Sequence, residues 1–103
     1  MVKIIWSKLA KLTLFDETNF ILSKWNETES EKFLILVYDF IETLSKAPEI
    51  GKYNSVNNHY SFVISKQTTL YYKYDETLTF ETLILFWNNT QNPALLKKYL
   101  KKI

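Results

Sequence analysis

Residues 60–87 read YSFVISKQTTLYYKYDETLTFETLILFW, and the period of this stretch decides the fold. Tyr60, Phe62 and Ile64 alternate with Ser61, Val63 and Ser65, the two-residue repeat of a strand with one buried face. Residues 66–68 supply a short turn, after which Leu70, Tyr72 and Tyr74 resume the alternation with Tyr71 and Lys73 on the opposite face. Two antiparallel strands follow from that pattern. Residues 75–77 turn the chain again, and residues 80–87 begin with alternation and end in the unbroken apolar run LILFW. A strand that is apolar on both faces belongs near the middle of a sheet or beneath additional cover.

Outward from this meander the period lengthens. The residues before it, 52–58, are polar and suit either a weak edge strand or a loop, because three asparagines lie among them. Further back, Phe33, Val37, Phe40, Ile41 and Leu44 form the core stripe of an amphipathic helix. Thr28 and Glu31 precede it as a T-x-x-E capping box, and Ala47, Pro48 and Gly51 stop it. A second helix is expected from residue 8 to about residue 26, with Ser7 as its N-cap. Leu9, Leu12, Phe15, Leu22 and Trp25 fall broadly on one side of it and are its expected core face, with Leu14, Phe20 and Ile21 widening the stripe. The short turn at residues 26–28 makes the two helices antiparallel neighbours. Residues 2–6 are apolar and β-branched, a buried strand. After the meander, Asn92 and Pro93 form an N-cap and N1 pair for a terminal helix. Its apolar side is Leu95, Leu96, Tyr99, Leu100 and Ile103; Lys97, Lys98, Lys101 and Lys102 take the other. The order implies one two-layer α+β domain over residues 1–103: a strand, an αα-hairpin, an antiparallel sheet of three to four further strands, and a short terminal helix. Both long helices are expected on one sheet face, with the other open to a partner or substrate.

Composition narrows the chemistry. The 13 basic residues outnumber the 11 acidic ones by only two, too mild a balance to name a polyanionic partner. All 13 are lysine, so no planar bidentate cation can be built. The absence of cysteine excludes disulfides, zinc thiolates and cysteine nucleophiles, and a single histidine cannot assemble a multi-histidine metal site. With one glycine, phosphate loops that need several are excluded. No apolar run reaches the roughly 18 to 20 residues of a membrane span, and no signal peptide is recognisable at the start. A cytoplasmic protein without metal, cofactor or membrane is the expectation.

Among individual residues, His59 is the obvious general acid or base, since its ordinary pKa of about 6.5 suits proton transfer. A surface residue at the start of a strand is the plainer reading. Lys66, Tyr71, Tyr72 and Lys73 place cations among aromatics, which can neutralise phosphates and stack on bases, or can simply line a half-buried sheet. Lys97 and Lys98 suit an anionic partner or a solvated helix face. Glu27, Glu29 and Glu31 favour the positive end of the helix that they open.

The chain resembles the RelE/ParE family of bacterial type II toxin-antitoxin toxins, especially its ParE-like plasmid-stabilisation branch. The resemblance spans IIWS at residues 4–7, KWNETESEKF at 24–33, LSKAPEIG at 44–51, VISKQTTLYYKY at 63–74 and ILFWNNTQNPALL at 84–96. It implies a β-α-α-β(3–4) sheet with a C-terminal helix. It also implies one of two activities, each held in check by a cognate antitoxin: cleavage of messenger RNA on the ribosome, or a binding toxin directed at a target such as DNA gyrase. If the chain is a nuclease, Lys66, His59 and Lys73 are the catalytic candidates; Lys52, Tyr71, Tyr72, Gln91, Lys97 and Lys98 are the binding candidates. The departures are specific. RelE-like catalysis uses arginines, Lys66 stands where the sheet would supply one, and Asn88 and Thr90 replace an acid and an arginine of the closing motif. A binding toxin is therefore the favoured expectation, with the endoribonuclease and a degenerate, non-toxic antitoxin-binding relative as alternatives.

Overall fold

The computed structural model describes residues 2–101, an α+β arrangement of one five-stranded mixed sheet and three helices. The elements are β1 (Lys3–Trp6), α1 (Lys8–Lys24), α2 (Glu27–Lys46), β2 (Lys52–Asn54), β3 (His59–Ser65), β4 (Thr68–Asp75), β5 (Phe80–Asn88) and α3 (Pro93–Lys101). The sheet order is β1-β5-β4-β3-β2. From β2 to β5 each neighbour is antiparallel, while β1 runs parallel to β5, pairing Ile4 with Glu81 and Trp6 with Leu83. The parallel pair needs a crossover, and the αα-hairpin supplies it.

Residues 52–58 are both things that their sequence allowed: β2 is a three-residue edge strand, and a turn follows it. Asn58 takes a left-handed φ of 52° there, a conformation that asparagine tolerates, and its Oδ1 accepts from the Tyr53 hydroxyl at 2.6 Å. Gly51, just before β2, is required by space. A Cβ at this position would lie 2.6 Å from the Tyr72 hydroxyl and 2.8 Å from the Ser61 carbonyl. Its N–H donates to that same hydroxyl at 2.9 Å, tying the end of the helical crossover to β4.

The core lies between the sheet and the αα-hairpin. Phe33, Val37, Phe40 and Leu44 of α2 are buried as their spacing predicts, and the Phe40 and Phe62 rings stack at 3.9 Å. The cap of α2 is not Thr28. Asn26 Oδ1 accepts from the Glu29 N–H at 2.9 Å, so the helix starts earlier, with Asn26 as its N-cap. The sequence offered two overlapping S/T/D/N-x-x-E patterns, and the two-residue connection from α1 selects the first.

For α1, the expected core face is corrected. The buried stripe is Ala10, Leu14, Glu17 and Ile21, whereas Leu12, Phe15, Leu22 and Trp25 are exposed and Leu9 is only partly buried. The helix is apolar on two sides, and β5 decides which side turns inward. The pairing of β4 with β5 shifts between Tyr71 and Tyr72, which face Leu85 and Leu83 and leave Ile84 as a bulge. The N-cap Ser7 donates its hydroxyl to the Ile84 carbonyl at 2.9 Å, and the Phe86 N–H donates to Thr13 Oγ1 at 2.9 Å. These two bonds fix the rotation of α1 over the bulge, and Ala10, small enough for close approach, lies beneath.

The second sheet face is not wholly open, a further correction. Ile84, Leu85 and Trp87 form a smaller core on that side, joined by Leu96 and Leu100 of α3, by Tyr71 and, from its margin, by Leu9 of α1. This second cover, supplied mainly by α3, explains why β5 is apolar on both faces. α3 begins at the expected Asn92-Pro93 pair, with Asn92 Oδ1 accepting from the Ala94 N–H at 2.9 Å. Lys102 and Ile103, expected to extend that helix, lie outside the described residues. Among the described residues no helix is long and apolar enough to cross a membrane.

Candidate functional site

The sequence-predicted residues separate into four places. His59 and Lys73 lie next to each other on β3 and β4, because the Tyr60–Tyr72 register sets the residue before one strand's partner against the residue after the other's. His59 is 4% exposed, and the ring of Tyr71 meets it edge-on at 5.4 Å. The plain surface reading of this histidine is therefore corrected. Burial, reinforced by the positive charge of Lys73, pushes its pKa below the ordinary value, so the neutral ring is favoured. Tyr71, also pushed up in pKa by burial, belongs partly to the α3 core, while Lys52 sits on the exposed edge strand.

Lys66 is elsewhere. It occupies the β3–β4 turn, a full strand length of roughly 20 Å from His59. The three residues considered for RNA cleavage are not brought to one reacting centre. Tyr72 is in a third place, fully buried on the helix side, stacked on Tyr60 with ring centroids 5.2 Å apart and its phenol pushed up to about 12 by burial. It serves the core and cannot stack on a partner from there. Gln91, Lys97 and Lys98 form the fourth group, exposed around the start and outer side of α3.

Lys66 instead helps to line a cleft of about 600 Å³ where the αα-hairpin meets the β3–β4 turn. The buried side chains Ile21 and Phe33 form its apolar floor, and Leu36 and Trp25, the latter at the tip of the hairpin, are half exposed on its walls. Lys32 and Lys66 stand at its rim; Lys32 is ion-paired with Glu29 at 3.5 Å. The ammonium of Lys24 lies 5.0 Å from the Trp25 ring centroid and 5.4 Å from that of Phe20, which holds the indole against the hairpin tip. The sequence reading missed this cleft, although Trp25 beside a helix-hairpin turn was the signal for it: a large aromatic at a tight turn has little core to enter.

The closing loop does structural work. Thr69 Oγ1 donates to Asn89 Oδ1 at 2.9 Å, and Asn88 Oδ1 accepts from the N–H and hydroxyl of Thr90 at 2.9 and 2.6 Å. Beneath it, the buried carboxylate of Glu17 accepts from the Thr68 hydroxyl. Burial raises the Glu17 pKa while the bonds from Thr68 and Asn88 oppose the rise. Asn88 and Thr90 thus lock the end of β5. Glu81, between β1 and β4, is also fully buried but neither of its carboxylate oxygens has a hydrogen-bond partner, and burial pushes its pKa up to about 8. Among the described residues, no group of three or more histidine, cysteine or carboxylate side chains could hold a metal ion.

The cleft thus combines apolar side chains with a mixed polar edge, in which the Glu29 carboxylate offsets the charge of Lys32 and Lys66 adds a second cation. No protein-family model matches the chain, and no curated protein is significantly similar to it.

Proposed function

We propose that this protein is a RelE/ParE-like toxin that acts in the cytoplasm by binding a cellular target, gyrase-like in kind, and is neutralised by a cognate antitoxin. The observation that carries the reading is the cleft between the αα-hairpin and the β3–β4 turn, lined by the exposed apolar side chains Trp25 and Leu36, with Lys66 and the Glu29-paired Lys32 at its edge. Such a surface suits an acidic segment with apolar anchors, the chemistry of a flexible antitoxin tail. The element order, a strand, two helices, four strands and a helix, is that of the family resemblance. Separation of Lys66 from His59 and Lys73 weighs against the endoribonuclease reading, as does the absence of arginine.

Induced expression tests the proposal. Growth arrest is expected, relieved by co-expression of a small acidic protein encoded beside this one, and Trp25→Asp should weaken that relief. RNA end mapping in the arrested cells should show no ribosomal A-site cuts. Normal growth without the neighbour favours the degenerate relative, and cuts that vanish in Lys66→Ala favour the nuclease; either result overturns the binding toxin.

A further inference from the structure

The outward side of α1 has a pattern of its own. Leu12, Phe15, Asn19 and Leu22 follow one another at steps of three, four and three residues, and the three apolar members are 53, 64 and 42% exposed. They lie opposite the buried stripe Ala10, Leu14, Glu17 and Ile21. These are the spacings of a short two-stranded coiled-coil seam, in which Leu12 and Asn19 would take a positions and Phe15 and Leu22 d positions. In the same frame Lys11 falls at g and Asp16 at e, both exposed. In a parallel pair the g residue of one helix faces the e residue five positions on in the other, so Lys11 meets Asp16 twice by symmetry.

We propose that two copies of this chain associate through α1 in a parallel, two-fold symmetric pair. Parallel packing sets Asn19 against Asn19, the arrangement in which one polar a residue specifies two strands and their register. Antiparallel packing that matches Leu12 with Leu22 would instead press the Asn19 amide against Phe15 and set Lys11 beside Ser23, losing the ion pairs. Lys8, at the preceding d position, brings like charges together and ends the seam on that side. The contact is confined to about three helical turns, and its strength is that of a weak interface, with dissociation on the order of 10–100 μM. The proposal is independent of toxicity, because the stripe is separate from the β3–β4 turn.

Sedimentation velocity of the full chain from about 5 to 300 μM should show a monomer passing to a dimer. Phe15→Glu should weaken dimerisation more than tenfold with an unchanged circular dichroism spectrum, since the side chain is outside the core. Lys11→Glu should weaken it, and Lys11→Glu with Asp16→Lys should restore it. The sequence has no cysteine, so Asn19→Cys reports directly on register: it should form a disulfide-linked dimer far faster than Val56→Cys, which is 87% exposed on the β2–β3 turn. A wild type that stays monomeric over the whole range, leaving the stripe to some other protein, overturns the proposal. So does a dimer indifferent to Phe15→Glu, a charge swap that fails to restore, or Asn19→Cys that links no faster than Val56→Cys.

Discussion

α1 and α2 lie side by side against the same sheet, and their inner faces obey the same rule: Ala10, Leu14, Glu17 and Ile21 on one, Phe33, Val37, Phe40 and Leu44 on the other, at identical spacing. Their outer faces differ. α2 also exposes Ile35, Leu36 and Tyr38, but it scatters them among charged Asp39, Glu42 and Lys46, with Lys46 ion-paired to Glu42 at 3.7 Å. α1 aligns Leu12, Phe15 and Leu22 in one row. The inner faces differ in content as well. α2 buries large aromatics, whereas α1 buries a small residue and an acid because it sits close over the β5 bulge and must satisfy Thr68 and the freed backbone groups. Identical periodicity can therefore serve a filled core on one helix and a hydrogen-bonded seat on its neighbour.

The sharpest way to break this comparison is to truncate both faces of each helix. Leu44→Ala and Leu14→Ala should each cost about 2–5 kcal/mol in urea unfolding, because both side chains leave cavities in the core. Leu12→Ala, two residues from Leu14 and so on the outward side, should stay within about 0.5 kcal/mol in dilute solution. A large loss there would mean that the stripe is internal after all.

The buried acids come next. Glu17 has partners and Glu81 has none, so their replacements should differ in sign. Glu81 titrates near 8 when folded and near 4.5 when unfolded. Between those values the unfolded chain has released a proton that the native chain retains, so stability falls as pH rises through this window and is highest below it. Glu81→Gln should abolish that slope and raise stability at pH 8 by roughly 2–5 kcal/mol relative to wild type. A wild type and variant with parallel stability profiles from pH 4 to 9 would refute the assignment. Thr68→Val, by contrast, strips the Glu17 carboxylate of its hydroxyl donor and should destabilise by about 1–3 kcal/mol at pH 7.

The smallest effects concern the helix starts. Ser7→Ala removes both an N-cap and the bond to the Ile84 carbonyl, and Asn26→Ala removes a cap alone. The expected losses in thermal unfolding are about 2 and about 1 kcal/mol. Thr28→Ala should cost less than about 0.5 kcal/mol, and a larger loss than Asn26→Ala would restore the later cap.

Much of the fold was legible because its signals are local. The two-residue period in β3 and β4, the stripe of α2, the caps at Ser7 and Asn92, and the breaking residues after Lys46 each depend on a few neighbours in sequence. The candidate site was less so. Lys66, His59 and Lys73 carry suitable chemistry, but their distance depends on where the β3–β4 turn falls, which puts Lys66 at one end of the strands and the other two at the opposite end. Trp25 and Leu36 looked like ordinary helix residues until the hairpin tip and the turn came together around them.

The sequence by itself determined the alternation of elements, the α+β class and the exclusion of thiol, arginine and multi-glycine chemistry, since each follows from residue type and spacing alone. Tertiary structure alone decided which of two apolar stripes on α1 turned inward and that α3 would cap the far side of β5. It also decided that Glu81 would be buried without a partner. The reason is physical. A helix with two apolar faces gains similar burial from either, and the choice passes to strand-borne groups more than 70 residues away, the Ile84 carbonyl and the Phe86 N–H, which only Ser7 and Thr13 on the chosen side can reach.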